Sequence, residues 1–328
     1  MFNCDEPEAR SLLTDTNIQK LRTIIGTHKL VMIDEAQRVK NIGLTLKLII
    51  DSWPDVQLLV TGSSSLDLAN EINEPLTGRK FEYHLYPFSS KELALASNML
   101  IEQQSLEKRL IYGLYPDVIN FTGEEKECLL NLSSSYLYKD ILALSNIRKP
   151  TQLENLLTAL ALQIGSEVSF HELAQTIQTN DETVERYICL LEKCFIIFRL
   201  GAFNRNHRNE IKKGKKIYFY DNGIRNAILQ NFSPLNLRQD VGALWENYFI
   251  SERLKANHYR RYYVNSFFWR TFQQQEIDLI EDADGLLMAF EIKWNEKRQS
   301  RIPKTFAQTY PNHRFCIVNR TNYMDFLT

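Results

Sequence analysis

The sequence carries no excess of either charge. Its 39 Lys and Arg stand against 40 Asp and Glu, so attraction to nucleic acid must come from a local basic patch and not from the overall field. It also lacks paired cysteines. The five present (Cys4, Cys128, Cys189, Cys194, Cys316) are odd in number and scattered, with no C-x-x-C, which excludes a disulfide framework and points to reduced thiols in a cytoplasm. The six histidines give no zinc spacing. No stretch reaches the ~18 uninterrupted apolar residues of a membrane span. The start, Met-Phe-Asn-Cys-Asp-Glu, has neither a basic nor an apolar leader region. These absences predict a soluble cytoplasmic protein with no membrane partner. Internal repeats are absent, and low complexity is confined to two short serine triplets.

What is present is ordinary globular composition: 328 residues, 44% hydrophobic and 24% charged. At roughly 150 residues per domain that predicts two or three domains. Over the first 90 residues short apolar runs alternate with helical patterns, as an α/β sheet requires. Lys29 to Ile33 reads as a strand buried on both faces. Ile42, Leu46, Ile49, Ile50 and Trp53 recur at helical spacing up to Pro54. Val56 to Val60 is a second strand and Phe81 to Leu85 a third.

Residues 91–150 read as a helical linker, with breaks near Pro116 and Thr122-Gly123. Within 151–220, helices are expected at Leu153 to Ile164, His171 to Ile177 and Glu182 to Cys194, the last capped by Asn180 or Asp181. Strands follow at Phe195 to Leu200 and Ile217 to Tyr220. Three helices and a β-ribbon suggest a winged helix-turn-helix. Residues 221–328 read as a separate α/β domain. Its helix is Ala243 to Leu254 and its strands are Tyr262 to Val264, Glu276 to Ile280, Leu286 to Ile292 and Phe315 to Val318. Glu281-Asp282-Ala283-Asp284-Gly285 is a hairpin turn between two of them.

Three constellations carry chemistry. First, Val31-Met32-Ile33-Asp34-Glu35 delivers two carboxylates to the carboxyl end of a strand, where open α/β sheets bind ligands. In P-loop NTPases the first carboxylate supports Mg²⁺ and the second can polarise a water. A solvated acidic turn is the plainer alternative. The run "KLVMIDEAQRVKNIGLTLKLIID", followed by "TGSSSLDLANEINEPLTGRKFEYHLYPFSSKEL", "YLYKDIL", "KKIYFYDNGIRNAI", "GALWENYFISERL" and "EIDLI", resembles the prokaryotic AAA-type ATPases that carry a C-terminal domain of unknown function.

The resemblance implies ATP and Mg²⁺ as cofactors. It makes Asp34 and Glu35 the Walker B pair, Ser63 the sensor and Arg79 an arginine finger or sensor. One departure stands against it: the family's glycine-rich loop ending in Gly-Lys-Thr or Gly-Lys-Ser is absent, and the only such dipeptide is Lys304-Thr305. The chain is therefore expected not to hydrolyse ATP by itself, with a truncated P-loop NTPase sheet in which a central strand between the Val56 and Phe81 strands is missing. Met1 reads as an internal start.

Second, Arg205, Arg208, Lys212, Lys213, Lys215 and Lys216 stand against the single acid Glu210 between the two ribbon strands, a wing able to follow a phosphate backbone. Glu182 and Glu185 on the would-be recognition helix argue equally for a protein-packing module. Third, Asp278, Glu291 and Lys293 sit on two hairpin strands, with Glu246 on the preceding helix. Carboxylates holding Mg²⁺ or Mn²⁺ beside a lysine can activate water. This looks like the PD-(D/E)XK nuclease pattern, D-x(12)-E-x-K, in its α-β-β-β order. Arg270 would contact phosphate or pair with a hairpin acid, while Tyr262, Val264 and Phe268 read as core.

The combined expectation is a DNA-associated AAA-type protein with a winged helix and a nuclease-like domain, partnered by DNA, by a protein or by itself. An Mg²⁺-dependent endonuclease and a non-catalytic binding module are the alternatives.

Overall fold

The computed structural model describes residues 1–62, 76–134, 149–204, 214–297 and 300–327. The chain divides into two compact units, Met1–His84 with Lys193–Phe195, and Leu85–Glu192 with Ile196–Thr328.

In the first unit, β1 (Phe2–Asn3), β2 (Leu30–Asp34) and β3 (Gln57–Val60) form a parallel sheet in that order. Between them lie α1 (Pro7–Leu13), α2 (Ile18–Ile25) and α3 (Ile42–Ser52). The helical spacing read in the sequence sets the core: Ile42, Leu46 and Ile49 of α3 and Leu21 and Ile25 of α2 pack with Val31 and Ile33 of β2. α3 ends at Ser52, and its cap Trp53, the residue before Pro54, has already left the helical conformation, as the proline requires.

Two expectations are corrected here. β2 alternates instead of being buried on both faces: Val31 and Ile33 are buried, Met32 is half-buried and Leu30 is exposed. Phe81 to Leu85 forms no strand, and its backbone is irregular. No described strand lies beside it to pair its amides, and Phe81 and Leu85 are 88% and 95% exposed.

The second unit begins with helices α4 (Ser90–Ala96), α5 (Met99–Gln104), α6 (Leu106–Tyr112), α7 (Pro116–Asn120) and α8 (Glu125–Leu132). Ser89 and Glu92 close a capping box on α4. There follow α9 (Pro150–Leu162), β4 (Glu167–Val168), α10 (Phe170–Thr176), α11 (Asp181–Lys193), β5 (Ile197–Ala202) and β6 (Lys215–Phe219). Asn180 caps α11 by accepting the Thr183 amide at 2.8 Å. The rest is α12 (Asn222–Ile228), α13 (Val241–Tyr259), β7 (Asn265–Arg270), β8 (Glu276–Ala283), β9 (Leu286–Ile292), α14 (Lys304–Thr309) and β10 (His313–Val318).

One seven-stranded sheet, in the order β10-β9-β8-β7-β5-β6-β4, runs through residues 167–318. β5 meets β7 in parallel at Gly201↔Phe267 and Ala202↔Phe268, so the 151–220 and 221–328 segments share a single sheet. β7, β8 and β9 are antiparallel, and β10 returns parallel to β9 across α14. Asp284 and Gly285, both at positive φ, make the two-residue turn between β8 and β9.

The strand expected at Tyr262 to Val264 starts at Asn265 instead. Tyr262 is exposed and not core, whereas Phe268 is fully buried. Two cores cover the sheet's faces. Phe290, Ile292 and Leu279 join Trp245, Tyr248 and Phe249 of α13, while Leu287, Ala289, Ile277 and Ile280 join Phe306 of α14 and Trp269.

Gly113 ends α6 at φ +72°, ψ −157°, a region open essentially to glycine alone. A Cβ there would lie 2.0 Å from Oδ1 of buried Asp221, which accepts the Leu114 amide at 2.7 Å and caps α12 through the Ile224 amide at 3.1 Å. Gly113→Ala is expected to cost roughly 2 kcal/mol or more. Chemical denaturation checks this; a loss under half that figure would contradict it.

Candidate functional site

At the carboxyl end of β2, the Asp34 carboxylate accepts the Thr61 hydroxyl, and the backbone ties the two strand ends together through Thr61 N–H to Ile33 O at 2.9 Å. Glu35 follows at φ +51° and receives the Gln37 amide at 2.5 Å. The acidic pair therefore sits at the strand end where the sequence puts it. Arg79 does not join it. Its guanidinium pairs with Asp51 in the last turn of α3, and because α3 runs back along the sheet this is the end away from Asp34. Ser63 lies outside the described residues.

The second unit holds a denser arrangement. Passing from Phe267 to Trp269, β7 takes two steps where β8 takes three, from Ile277 to Ile280. The extra residue is a bulge, which re-aims side chains. It turns Asp278 into the ladder, where its Oδ2 accepts the Ile292 amide at 2.7 Å. Lys293 bridges Glu291 Oε1 at 2.7 Å and Asp278 Oδ2 at 3.5 Å, and Ser300 donates to Glu291 Oε1 at 3.1 Å. From α13, Glu246 accepts the Tyr218 hydroxyl at 2.7 Å and Lys216 Nζ at 3.1 Å. Lys216 also reaches Glu276 Oε1 at 2.5 Å. Arg270 stands 3.9 Å from Glu276 and 3.6 Å from Glu167, so it pairs with a hairpin acid.

Electrostatics follow from this crowding. Asp278 is 7% exposed. Burial, with the charges of Glu246 and Glu291, outweighs Lys293 and the Ile292 amide and pushes its carboxyl up to about 7. For Lys293, burial favours the neutral amine, yet Asp278 and Glu291 win and raise its pKa, so it stays an ammonium. Lys216 is the same case: burial opposes its charge, while Glu246, Glu276 and Asp278 hold it. Burial and Glu246 keep the Tyr218 phenol well above its ordinary value.

The structure thus brings Asp278, Glu291 and Lys293 together, with Glu246 near enough for its charge to act on Asp278. Asp34 belongs to the strand end of β2; of the three carboxylates expected around one ion in the second unit, Glu246 does not join Asp278 and Glu291, since among the described residues no three acidic, histidine or cysteine side chains close on a common point. Alternation explains the gap, because Glu291 shares the parity of Leu287 and Ala289 while Glu246 rises from the helix on the other face.

Of the basic wing, Arg205, Arg208, Lys212 and Lys213 lie outside the described residues. Lys215 places its ammonium 5.7 Å from the Phe170 ring. Lys216 is a correction: at 2% exposure and paired with two acids, it offers nothing to a phosphate backbone. Lys216, Tyr218 and Glu276 are the site residues the sequence reading misassigned or missed. A lysine and a tyrosine two apart in the apolar run Lys216-Ile217-Tyr218-Phe219 were the available signal, since both face the same helix.

Comparison with known proteins places a AAA domain model on residues 1–94, a domain of unknown function (DUF8612) on 103–235 and a second (DUF4143) on 241–326. These matches support an AAA-type ATPase-like family with downstream domains of unknown function, and the N-terminal parallel sheet is consistent with a P-loop-like domain. An uncharacterized protein of Mycobacterium tuberculosis is 27% identical over 301 residues, covering 89% of this chain and 64% of that protein. Uncharacterized proteins of Haemophilus influenzae and Methanocaldococcus jannaschii are 26% and 23% identical over 204 and 323 residues, covering 59% and 92% of this chain and 51% and 69% of theirs. The chain spans 64% of the length of the mycobacterial relative and 51% of the Haemophilus one. No solved structure matches. Among the described residues, no helix is long and apolar enough to cross a membrane.

Proposed function

We propose that this is a DNA-associated, AAA-type protein whose C-terminal segment is a PD-(D/E)XK nuclease-like unit cleaving phosphodiesters with Mg²⁺ or Mn²⁺. The observation that carries the reading is Asp278, bulged into the ladder beside Glu291 and bridged to it by Lys293. The order α13, β7, β8, β9, α14, β10 agrees with it. The donor set fits a divalent ion in one respect: Asp278 and Glu291 are two carboxylates beside a single lysine, and burial with the charge of Glu246 holds Asp278 against ionising until a cation arrives. Asp278 and Glu291 would hold the ion, which when bound would acidify water and polarise a phosphoryl oxygen. Lys293, fixed as an ammonium, is unsuited to be the base. It orients water and counters the charge growing on the phosphate.

The helix-strand-helix-helix-strand-strand order of α9 to β6, with β6 between β4 and β5, supports a winged helix. The basic sequence between its last two strands supports DNA as partner. The test is supercoiled plasmid with Mg²⁺ or Mn²⁺. Nicking by the native chain, lost in Asp278→Ala, is expected. Equal inactivity of both with salt-sensitive DNA binding retained would instead favour a non-catalytic binding module, the reading favoured by the Lys216–Glu246 pair.

In the first unit, Asp34 and Glu35 are proposed as the Mg²⁺-supporting and water-polarising carboxylates of an ATP site, with Ser63 as sensor. Arg79, paired with Asp51, would have to leave that partner to act as a finger. With no Gly-Lys-Thr or Gly-Lys-Ser among these residues, the 328-residue chain alone is expected to show no ATP turnover above background. Turnover lost on Glu35→Gln would contradict this.

A further inference from the structure

We infer that the run Arg301 to Lys304 and the β7–β8 loop form an interface for a DNA strand with an unpaired base, Phe272 stacking on the base while Arg301 and Lys304 neutralise phosphates. That the strand is cut there rests on the nuclease-like reading; the interface rests on its own charge and exposure. From Lys297 to Met324 the sequence holds no Asp or Glu, against Lys297, Arg298, Arg301, Lys304, Arg314 and Arg320. Such a local excess, in a chain of balanced charge, is the footprint that a polyanion needs. Arg320 is taken by Glu296 at 2.6 Å. Lys297, Arg301 and Lys304 are exposed, and among the described residues none of them pairs with a carboxylate. Lys216, by contrast, is buried between two acids.

Two hydrogen bonds set this run beside the candidate site. The Ser300 hydroxyl donates to Glu291 Oε1 at 3.1 Å, and the Thr305 hydroxyl donates to Gln275 Oε1, three residues before Asp278. Between them Ile302 packs against the core that holds Phe306, which leaves Arg301 and Lys304 outward. The β7–β8 loop is closed as firmly. Thr271 accepts the Gln274 amide on its carbonyl at 3.0 Å and the Gln275 amide on its hydroxyl at 3.2 Å, and its own amide donates to the Gln275 carbonyl at 2.9 Å. Phe272 stands on this loop at 102% exposure, followed by exposed Gln273 and Gln274, and no other ring meets it among the described residues. A phenyl ring held bare in water gains nothing from the fold, whereas every base has a π-face able to cover it. Bases of an intact duplex already stack on one another, so the ring suits a single strand or a splayed junction.

The test is fluorescence anisotropy of a labelled single-stranded DNA of about 16 nucleotides, and of the same sequence as a duplex, on the full chain in EDTA, where neither metal ion nor cleavage enters. The native chain is expected to hold the single strand about tenfold tighter than the duplex, and Phe272→Ala to lose that preference, as the removal of one base–aromatic stack requires. Arg301→Gln combined with Lys304→Gln should weaken both complexes and lower the single-strand salt slope by about 1.4, two phosphates at about 0.7 each. The three side chains are exposed, so these variants keep the native fold. Binding that the variants leave unchanged would overturn the interface. So would displacement of the strand by polyglutamate equally from native and Phe272→Ala protein, the sign of an acidic protein partner. Plasmid nicking separates the two readings: the expected binding without nicking upholds the interface and refutes the nuclease-like reading, whereas nicking with binding indifferent to the variants does the reverse.

Discussion

Asp278→Asn is expected to abolish divalent-ion binding and to flatten the pH dependence of stability between about pH 4 and 7. The sign comes from linkage. Folding raises the Asp278 pKa to about 7, so the native state holds a proton that the unfolded chain releases near its ordinary carboxylate value. Its contribution is fully present below that ordinary value and is lost as pH rises through 7. At about 1.4 kcal/mol per unit, the loss from below pH 4 to above pH 7 is on the order of 4 kcal/mol, and it disappears in the asparagine variant. A divalent ion competes with the same proton, so affinity in the native chain should rise roughly tenfold from pH 6 to 8. Urea unfolding of both chains at pH 5 and pH 8, with and without Mn²⁺, reads all three effects. Parallel pH profiles for native and variant would show that the crowding of Glu246 and Glu291 around Asp278 is absent in solution.

A second large effect is expected away from the site. Glu252 and Lys255 on α13 are 1% and 0% exposed at the side chain and 2.7 Å apart. Glu252 Oε2 accepts the Ser90 amide at 2.6 Å and its hydroxyl at 2.7 Å, and Ser90 shares a 2.6 Å hydrogen bond with Tyr248. Lys255 also donates to the Phe88 carbonyl at 3.0 Å. Glu252→Ala would leave a buried ammonium with that carbonyl and the charge of Asp221, without its own ion-pair partner, which costs about 3–5 kcal/mol. For a unit of this size the melting temperature should fall by on the order of 10 °C. Lys255→Met added to Glu252→Leu should recover part of the loss, because it removes the unpaired charge but leaves the buried Ser90 amide without its acceptor. A single-variant loss below about 1 kcal/mol would mean that water reaches the pair.

Much of this architecture is legible in the sequence where local pattern decides it. The apolar spacing of α3, the apolar run of β9 and the Asp284-Gly285 turn each specify their element without distant partners. Expectation and structure part where a neighbour decides. Phe81 to Leu85 has strand composition, but a strand exists only when another pairs with it. Phe2–Asn3 is too short to carry a pattern and is a strand because β2 lies beside it. The 167–318 sheet hinges on the Gly201↔Phe267 pairing, which composition cannot announce.

The same holds within the site. Asp278, Glu291 and Lys293 were visible as a spacing, whereas the β8 bulge that orients Asp278 was not. Lys216 looked like part of a basic loop because charge runs are usually solvated. Its burial follows from Glu246 and Glu276, 30 and 60 residues further along. Tyr262, read as core from its apolar body, is exposed because the strand begins three residues later at Asn265.

The most direct measurement is a crystal of the chain soaked in Mn²⁺ and recorded at the manganese absorption edge. An anomalous peak beside the Asp278 and Glu291 carboxylates is the expected result. No peak beside Asp278 would contradict it.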